Sequence, residues 1–169
     1  GPMFDHPVAD APMQTRIACA ILARMGPGAT EEVPAIAGLL SSNDLWVAEG
    51  GARALSDIGK AAKAAVPALA AELERNSPRV AVQCARALAN IGGPEADAAA
   101  PELVKTFAAD KRPLSTHAAI ALATLSPESA KDAIPLAIAT LARTRTTTTD
   151  PICTAAETIL FLAGPDAIP

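Results

Sequence analysis

Hydrolytic and metal-binding sites are built from histidine, cysteine and acidic side chains, and this chain has two histidines and three cysteines. His6 lies near the N-terminus. His117 has no serine or cysteine at helical spacing and no adjacent glutamate, so it lacks the partners of a nucleophile or a zinc-binding pair. We therefore expect His117 to be a helix-surface or boundary residue. The sequence predicts no enzymatic activity, no metal site and no cofactor.

The cysteines are Cys19, Cys84 and Cys153, which fall in the first, third and fifth units of the repeat described below. Adjacent helices lie about 8–10 Å apart, whereas a disulfide needs a Cα separation of ~4.4–6.8 Å. Thiols two units apart cannot meet, so we expect free, buried cysteines. Free cysteines weakly favour an intracellular protein, and the sequence does not assign the compartment.

The elements that would position any site follow a repeat marked by proline. Pro34, Pro67, Pro101 and Pro135 are 33, 34 and 34 residues apart, and they open the segments VPAIAGLL, VPALAAEL, APELVKTF and IPLAIATL. A period of this length indicates stacked structural units that share a continuous core. Half of the residues are apolar but only 2% are aromatic, which favours an all-α fold packed from aliphatic side chains.

A second periodic stretch ends at a small residue in each unit, at Gly26, Gly59, Gly92, Ser126 and Gly164. Four residues earlier a leucine recurs in all five units, at Leu22, Leu55, Leu88, Leu122 and Leu160. Steps of four mark one face of a helix. The pattern predicts A helices at 12–25, 45–58, 78–91, 113–125 and 151–163. It predicts B helices, each reached through a tight turn, at 33–41, 66–75, 100–109 and 134–143. Capping side chains are expected before three of the A helices, at Asn43-Asp44, Ser77 and Asp150.

The predicted organisation is a tag remnant and N-terminal tail at 1–11 followed by one repeat domain at 12–169. Its units are 12–41, 45–75, 78–109, 113–143 and an incomplete 151–169. The polar stretch 143–150 adds four residues between the last two units. We favour a longer solvated loop there over the alternative of a loop that contacts a partner.

The segment ARALSDIG at 52–59, leading to VPAL at 66–69, resembles the bacterial HEAT-like repeat, the type also found in phycobilisome lyases. ARALANIG at 85–92, leading to APEL at 100–103, matches equally well, and the resemblance covers residues 12–164. It implies a right-handed α-solenoid (α-α superhelix) of about four and a half helix pairs, with A helices convex and B helices concave. Such repeats most often bind proteins, although the fold is a poor guide to function.

Charge and hydropathy narrow the class of partner. The net charge of −4 disfavours nucleic-acid binding, which needs clustered basic residues. No apolar run approaches the ~18 residues of a membrane helix. We expect another protein or a peptide as partner, no membrane association, and end-to-end self-association at the exposed fifth A helix.

Small residues with scattered polar ones line the predicted concave face, and small side chains let a helix or peptide approach closely. The candidate partner-binding residues are Ala68, Ala71, Glu72, Arg75, Glu102, Lys105, Leu136, Ala139, Thr140 and Arg143. Trp46 is a further candidate contact, although packing against a neighbouring turn is favoured over ligand stacking.

The expected function is a non-catalytic scaffold or adaptor. The alternatives are a repeat domain that presents substrate within a larger enzyme and, less favoured, a HEAT-like nucleic-acid binder.

Overall fold

The computed structural model describes residues 7–75, 77–144 and 149–167, and every regular element within these ranges is helical. His6, Pro169 and the central part of the polar stretch 143–150 lie outside them. The α-helices are α1 (Pro7–Met25), α2 (Val33–Leu39), α3 (Leu45–Ile58), α4 (Val66–Ala71), α5 (Pro78–Ile91), α6 (Gly93–Ala96), α7 (Ala100–Ala108), α8 (Leu114–Leu122), α9 (Pro127–Ala130), α10 (Ile134–Arg143) and α11 (Pro151–Ala163). The predicted all-α class is confirmed.

The long helices contact one another in chain order. Helix α1 packs against α3, α3 against α5, α5 against α8, and α8 against α11; these five are the A helices. The B helices are α2, α4, α7 and α10, and each packs against the A helix that follows it in the chain. The arrangement is repeat-like, because the same two kinds of helix alternate along the molecule.

Four helices begin and end where the pattern predicts: α3, α5, α10 and α11. Helix α1 instead begins at Pro7, inside the segment assigned to the tail. The prediction of tight turns within the helix pairs is wrong. Residues Gly26–Glu32 and Gly59–Ala65 form 3₁₀ helices, and the short helices α6 and α9 occupy the later turns. Four of the seven residues of Gly59–Ala65 are alanine, whereas Gly26–Glu32 contains only one.

Glycine is required at the ends of α3 and α5. Gly59 and Gly92 have φ of 71° and 57°, in the left-handed region that side chains other than glycine rarely adopt. A Cβ at Gly92 would also lie 3.2 Å from the Ala89 carbonyl oxygen. Ser126 takes the equivalent place in the fourth unit with an extended backbone, and its N–H donates to Asp97 Oδ1 at 2.9 Å. The fourth unit therefore turns by a different local geometry.

Aspartate side chains cap two of the A helices as predicted. Asp44 Oδ1 accepts hydrogen bonds from the N–H groups of Trp46, at 2.9 Å, and Val47. Asp150 Oδ1 accepts one from the Ile152 N–H at 3.1 Å. Ser77, predicted to cap α5, makes no side-chain capping bond. Two of the three predicted caps thus satisfy helix N–H groups that would otherwise lack a partner.

The leucine column forms the centre of the core. Leu55, Leu88 and Leu122 are fully buried, whereas Leu22 and Leu160 are only partly buried. The difference follows from position, because the first and last A helices have a neighbouring A helix on one side only. In α1, Ala18 is exposed although it lies four residues before Leu22, and the neighbouring Cys19 is buried instead.

Candidate functional site

The surface formed by the B helices holds most of the predicted binding residues. The fourth residue after the helix-opening proline is exposed in every B helix: Gly38, Ala71, Lys105 and Ala139. We refer to these four residues as the B-helix row. Ala68, Glu102 and Leu136 lie beside it and are half-buried. Three of the four members of the row are glycine or alanine, so the backbone there is open to a partner.

Thr140 does not belong to this surface, and its predicted role as a partner contact is wrong. Thr140 is 2% exposed, and its hydroxyl group donates a hydrogen bond to the Leu136 carbonyl oxygen at 2.8 Å. Thr106, at the same position of α7, is likewise buried and donates to the Glu102 carbonyl oxygen at 2.7 Å. A threonine that bonds the carbonyl four residues earlier satisfies its own hydroxyl, which allows it to pack inward.

Arg75 ties the second unit to the first. Its guanidinium group donates to the carbonyl oxygens of Leu40 and Ser42, which follow the end of α2. It also lies 3.3 Å from Glu72, the acidic candidate of the same unit. Helix ends leave carbonyl groups without partners, and a cation there satisfies them and complements the helix dipole. The structure therefore places Arg75 in a contact between units.

Two other predicted basic residues also reach back to the preceding unit. Lys105 pairs with Glu74, and Arg143 pairs with Asp110 at 2.9 Å. Pairing with Lys105 lowers the pKa of Glu74, and the same contact raises the pKa of Lys105. These pairs are exposed, so each adds little stability. Their main consequence is that the basic candidates on the B-helix surface, Arg75, Lys105 and Arg143, are already paired with acidic residues of this chain.

An open cavity of about 370 Å³ adjoins this surface and contains the predicted residues Arg75 and Lys105. Its wall includes two basic residues that the sequence analysis did not select, Lys111 and Arg112. The signal for them was a basic pair directly before Pro113. Arg112 pairs with Asp150 at 2.8 Å, and this contact lowers the pKa of that carboxyl group.

Trp46 lies on the other surface, formed by the A helices, and is 55% exposed. The Cζ atoms of Arg16 and Arg79 lie 4.8 and 5.1 Å from its ring centroid. The favoured interpretation, packing against a neighbouring turn, is thus replaced by cation–π contacts with the two adjacent A helices. Arg79 also pairs with Glu49 at 2.9 Å.

The three thiols and His117 are the remaining side chains considered for chemistry. All three cysteines are free and buried, as predicted. Burial raises the pKa of Cys84 to about 12, with a smaller contribution from Glu72. Burial, and secondarily Arg86, lowers the pKa of the half-buried His117. Across residues 7–75, 77–144 and 149–167, no three histidine, cysteine or acidic side chains are grouped closely enough to hold a metal ion.

Together these observations define an all-helical, repeat-like protein with two distinct surfaces. No helix in the described ranges has the length and hydropathy needed to cross a membrane.

Comparison with known proteins adds a structural likeness. No protein-family model matches the chain, and no curated protein matches it. The crystal structure of an engineered protein, a target of the Northeast Structural Genomics Consortium, is similar with a TM-score of 0.65 and 26% sequence identity. The match covers 88% of this chain and 72% of that chain. The likeness supports the helical architecture and carries no statement about activity.

Proposed function

We propose that this protein is a non-catalytic interaction scaffold, a right-handed α-solenoid of HEAT-like helix pairs. Its B-helix surface binds a helix or an extended peptide of a partner protein. The observation that carries the proposal is the B-helix row, which is exposed at the same position of four successive B helices. A surface repeated in this way presents equivalent contacts along its length, and an elongated partner can use several of them at once.

The composition of the row supports close contact. Gly38, Ala71 and Ala139 place little more than backbone at the surface, and half-buried Ala68 and Leu136 add apolar area beside them. Small residues allow two helices to approach more closely than large ones. Their own helix propensity explains some alanines, but it does not explain why the glycine and alanines share one exposed position.

The charges of this surface support a partner that contributes apolar contacts more than ion pairs. Arg75, Lys105 and Arg143 each contact the end of the preceding B helix. A partner that needed these cations would have to break contacts within the chain. The buried Cys84 thiol of α5, with its pKa of about 12, is almost entirely protonated at neutral pH and is therefore a weak nucleophile.

The test is a peptide-display selection on the immobilised protein, followed by affinity measurements on the selected peptides. We expect Ala71→Glu and Ala139→Glu to weaken binding at least about tenfold, because each places a charged side chain where the partner packs. The matched control is Ala64→Glu, since Ala64 is also exposed but lies on the 3₁₀ segment Gly59–Ala65. Selected peptides that bind all four proteins equally would refute the proposal.

A further inference from the structure

The A-helix surface carries a groove of about 570 Å³ between α1 and α3 that the proposed function does not use. Its floor is apolar and made of small residues: Ala20, Ala23, Gly50 and Ala54. Met13 and Ile17 are each more than half exposed at its edge. The groove therefore leaves apolar surface exposed to solvent.

Glycine helps to shape this groove. A Cβ added at Gly50 would lie 3.7 Å from Arg16 Cγ, so the aliphatic part of Arg16 rests directly over the α3 backbone. The guanidinium end of Arg16 extends to the ring of Trp46. This geometry holds one cation at the side of the groove while the floor beside it stays open.

The groove is basic although the protein is acidic. Arg16, Arg24 and Arg53 line it together with a single acidic residue, Asp57. None of these three arginines forms an ion pair within the described ranges, whereas Arg75 and Arg143 on the B-helix surface each do. Guanidinium groups that lack a carboxylate partner are available to a ligand, and they bind carboxylates in a bidentate manner.

The corresponding groove between α8 and α11 provides a comparison within the same molecule. It has a similar volume, about 510 Å³, but threonines and apolar residues line it and no charged residue does. Stacked A helices thus leave grooves of this size with or without charge. The arginines between α1 and α3 are a particular property of that groove.

We propose that the α1–α3 groove binds an acidic, amphipathic segment of a partner protein. The apolar side chains of the segment lie on the floor, and its carboxylates pair with Arg16, Arg24 and Arg53. Arg16 and Arg24 are eight residues apart on one helix, which separates them by about 12 Å along the axis. Glutamates two helical turns apart on the ligand match that distance. The apolar floor favours a peptide over a nucleic acid, whose phosphates would leave the floor uncovered.

The experiment uses a fluorescein-labelled synthetic helix with leucine and alanine on one face and glutamates at intervals of seven or eight residues. Binding is measured by fluorescence anisotropy with the whole chain. Trp46 emission gives a second readout, because it is the single tryptophan and contacts Arg16. We expect the double variant Arg24→Gln/Arg53→Gln to weaken binding more than about tenfold.

Three controls make the result specific. Arg86→Gln alters an exposed arginine at the position of α5 equivalent to Arg53, outside the groove, and is expected to retain affinity within about threefold. Ala71→Glu is expected to leave the affinity for the glutamate-bearing helix unchanged, although it weakens peptide binding at the B-helix surface. This difference separates the two sites. Circular dichroism verifies that each variant is folded.

A glutamine version of the peptide that binds as tightly as the glutamate version would overturn the proposal. Tighter binding of the protein to duplex DNA or to phosphatidylserine vesicles than to the peptide would also overturn it.

Discussion

Replacing Arg75 with methionine tests whether contacts between successive units hold this fold together. Methionine keeps much of the aliphatic stem but removes the bonds to the carbonyl oxygens of Leu40 and Ser42. Leu40 is buried, so its carbonyl group loses a partner that water cannot easily replace. Each hydrogen bond to a charged group contributes about 1.5–3 kcal/mol, and the Arg75 side chain is 21% exposed. The two bonds sum to about 3–6 kcal/mol, but water can replace the bond to the half-buried Ser42, so we expect a total loss of about 2–3 kcal/mol.

The loss is measured by urea unfolding and by thermal melting. For a chain of this size it corresponds to a fall in Tm of roughly 4–12 °C. Hydrogen exchange of amides at the end of α2 is expected to accelerate, because the lost contacts lie there. Arg75→Lys restores the charge but cannot reach both carbonyl groups with a planar fork, so it is expected to recover less than half of the loss.

Two further variants decide the interpretation. Arg86→Met removes an exposed arginine that forms no ion pair in the described ranges, and we expect it to change the free energy of unfolding by less than about 0.5 kcal/mol. Glu72→Gln removes the ion pair with Arg75 and leaves the carbonyl contacts in place. The reasoning is refuted if Arg75→Met resembles Arg86→Met, or if Glu72→Gln alone reproduces its full effect.

Three other predictions concern the core, the caps and the thiols. Leu88→Ala is expected to cost about 2–5 kcal/mol in urea unfolding, and Leu160→Ala less, because Leu160 is only partly buried; equal losses would contradict this ranking. Asp44→Ala is expected to cost about 1 kcal/mol and Ser77→Ala less than half of that, since only Asp44 caps its helix. At pH 8 the Cys84 thiolate is on the order of 10⁻⁴ of the thiol, so we expect Ellman's reagent to label Cys84 only after unfolding; rapid labelling of the native protein would disprove its burial.

The helices with strong local signals were predictable from the sequence. Helices α5 and α11 begin at a proline and end before a glycine, and both signals act on residues within one turn. The turn segments were not predictable in the same way. Gly59 marks the end of α3, but nothing local to it indicates that the alanines that follow continue as a 3₁₀ helix.

The candidate surface was predictable in part. The exposed positions of Ala71 and Ala139 follow from helical periodicity, whereas Thr140 lies at the boundary between surface and interior. Only the neighbouring helices decide on which side a boundary residue lies. Arg16 and Arg24 lie about two turns apart in the sequence of α1, but only the packing of α3 against α1 shows that Arg53 lines the same groove.

The sequence by itself determined that this protein is helical, that its units recur about every 34 residues, and which leucines form the core. Capping, periodicity and propensity act between residues a few positions apart, so they can be read along the chain. The tertiary structure decided which charges are paired and which stay available. Arg75 meets Ser42 and Arg143 meets Asp110 across 33 residues, because stacking places one unit beside the next. Side chains so distant in sequence find their partners only through that packing.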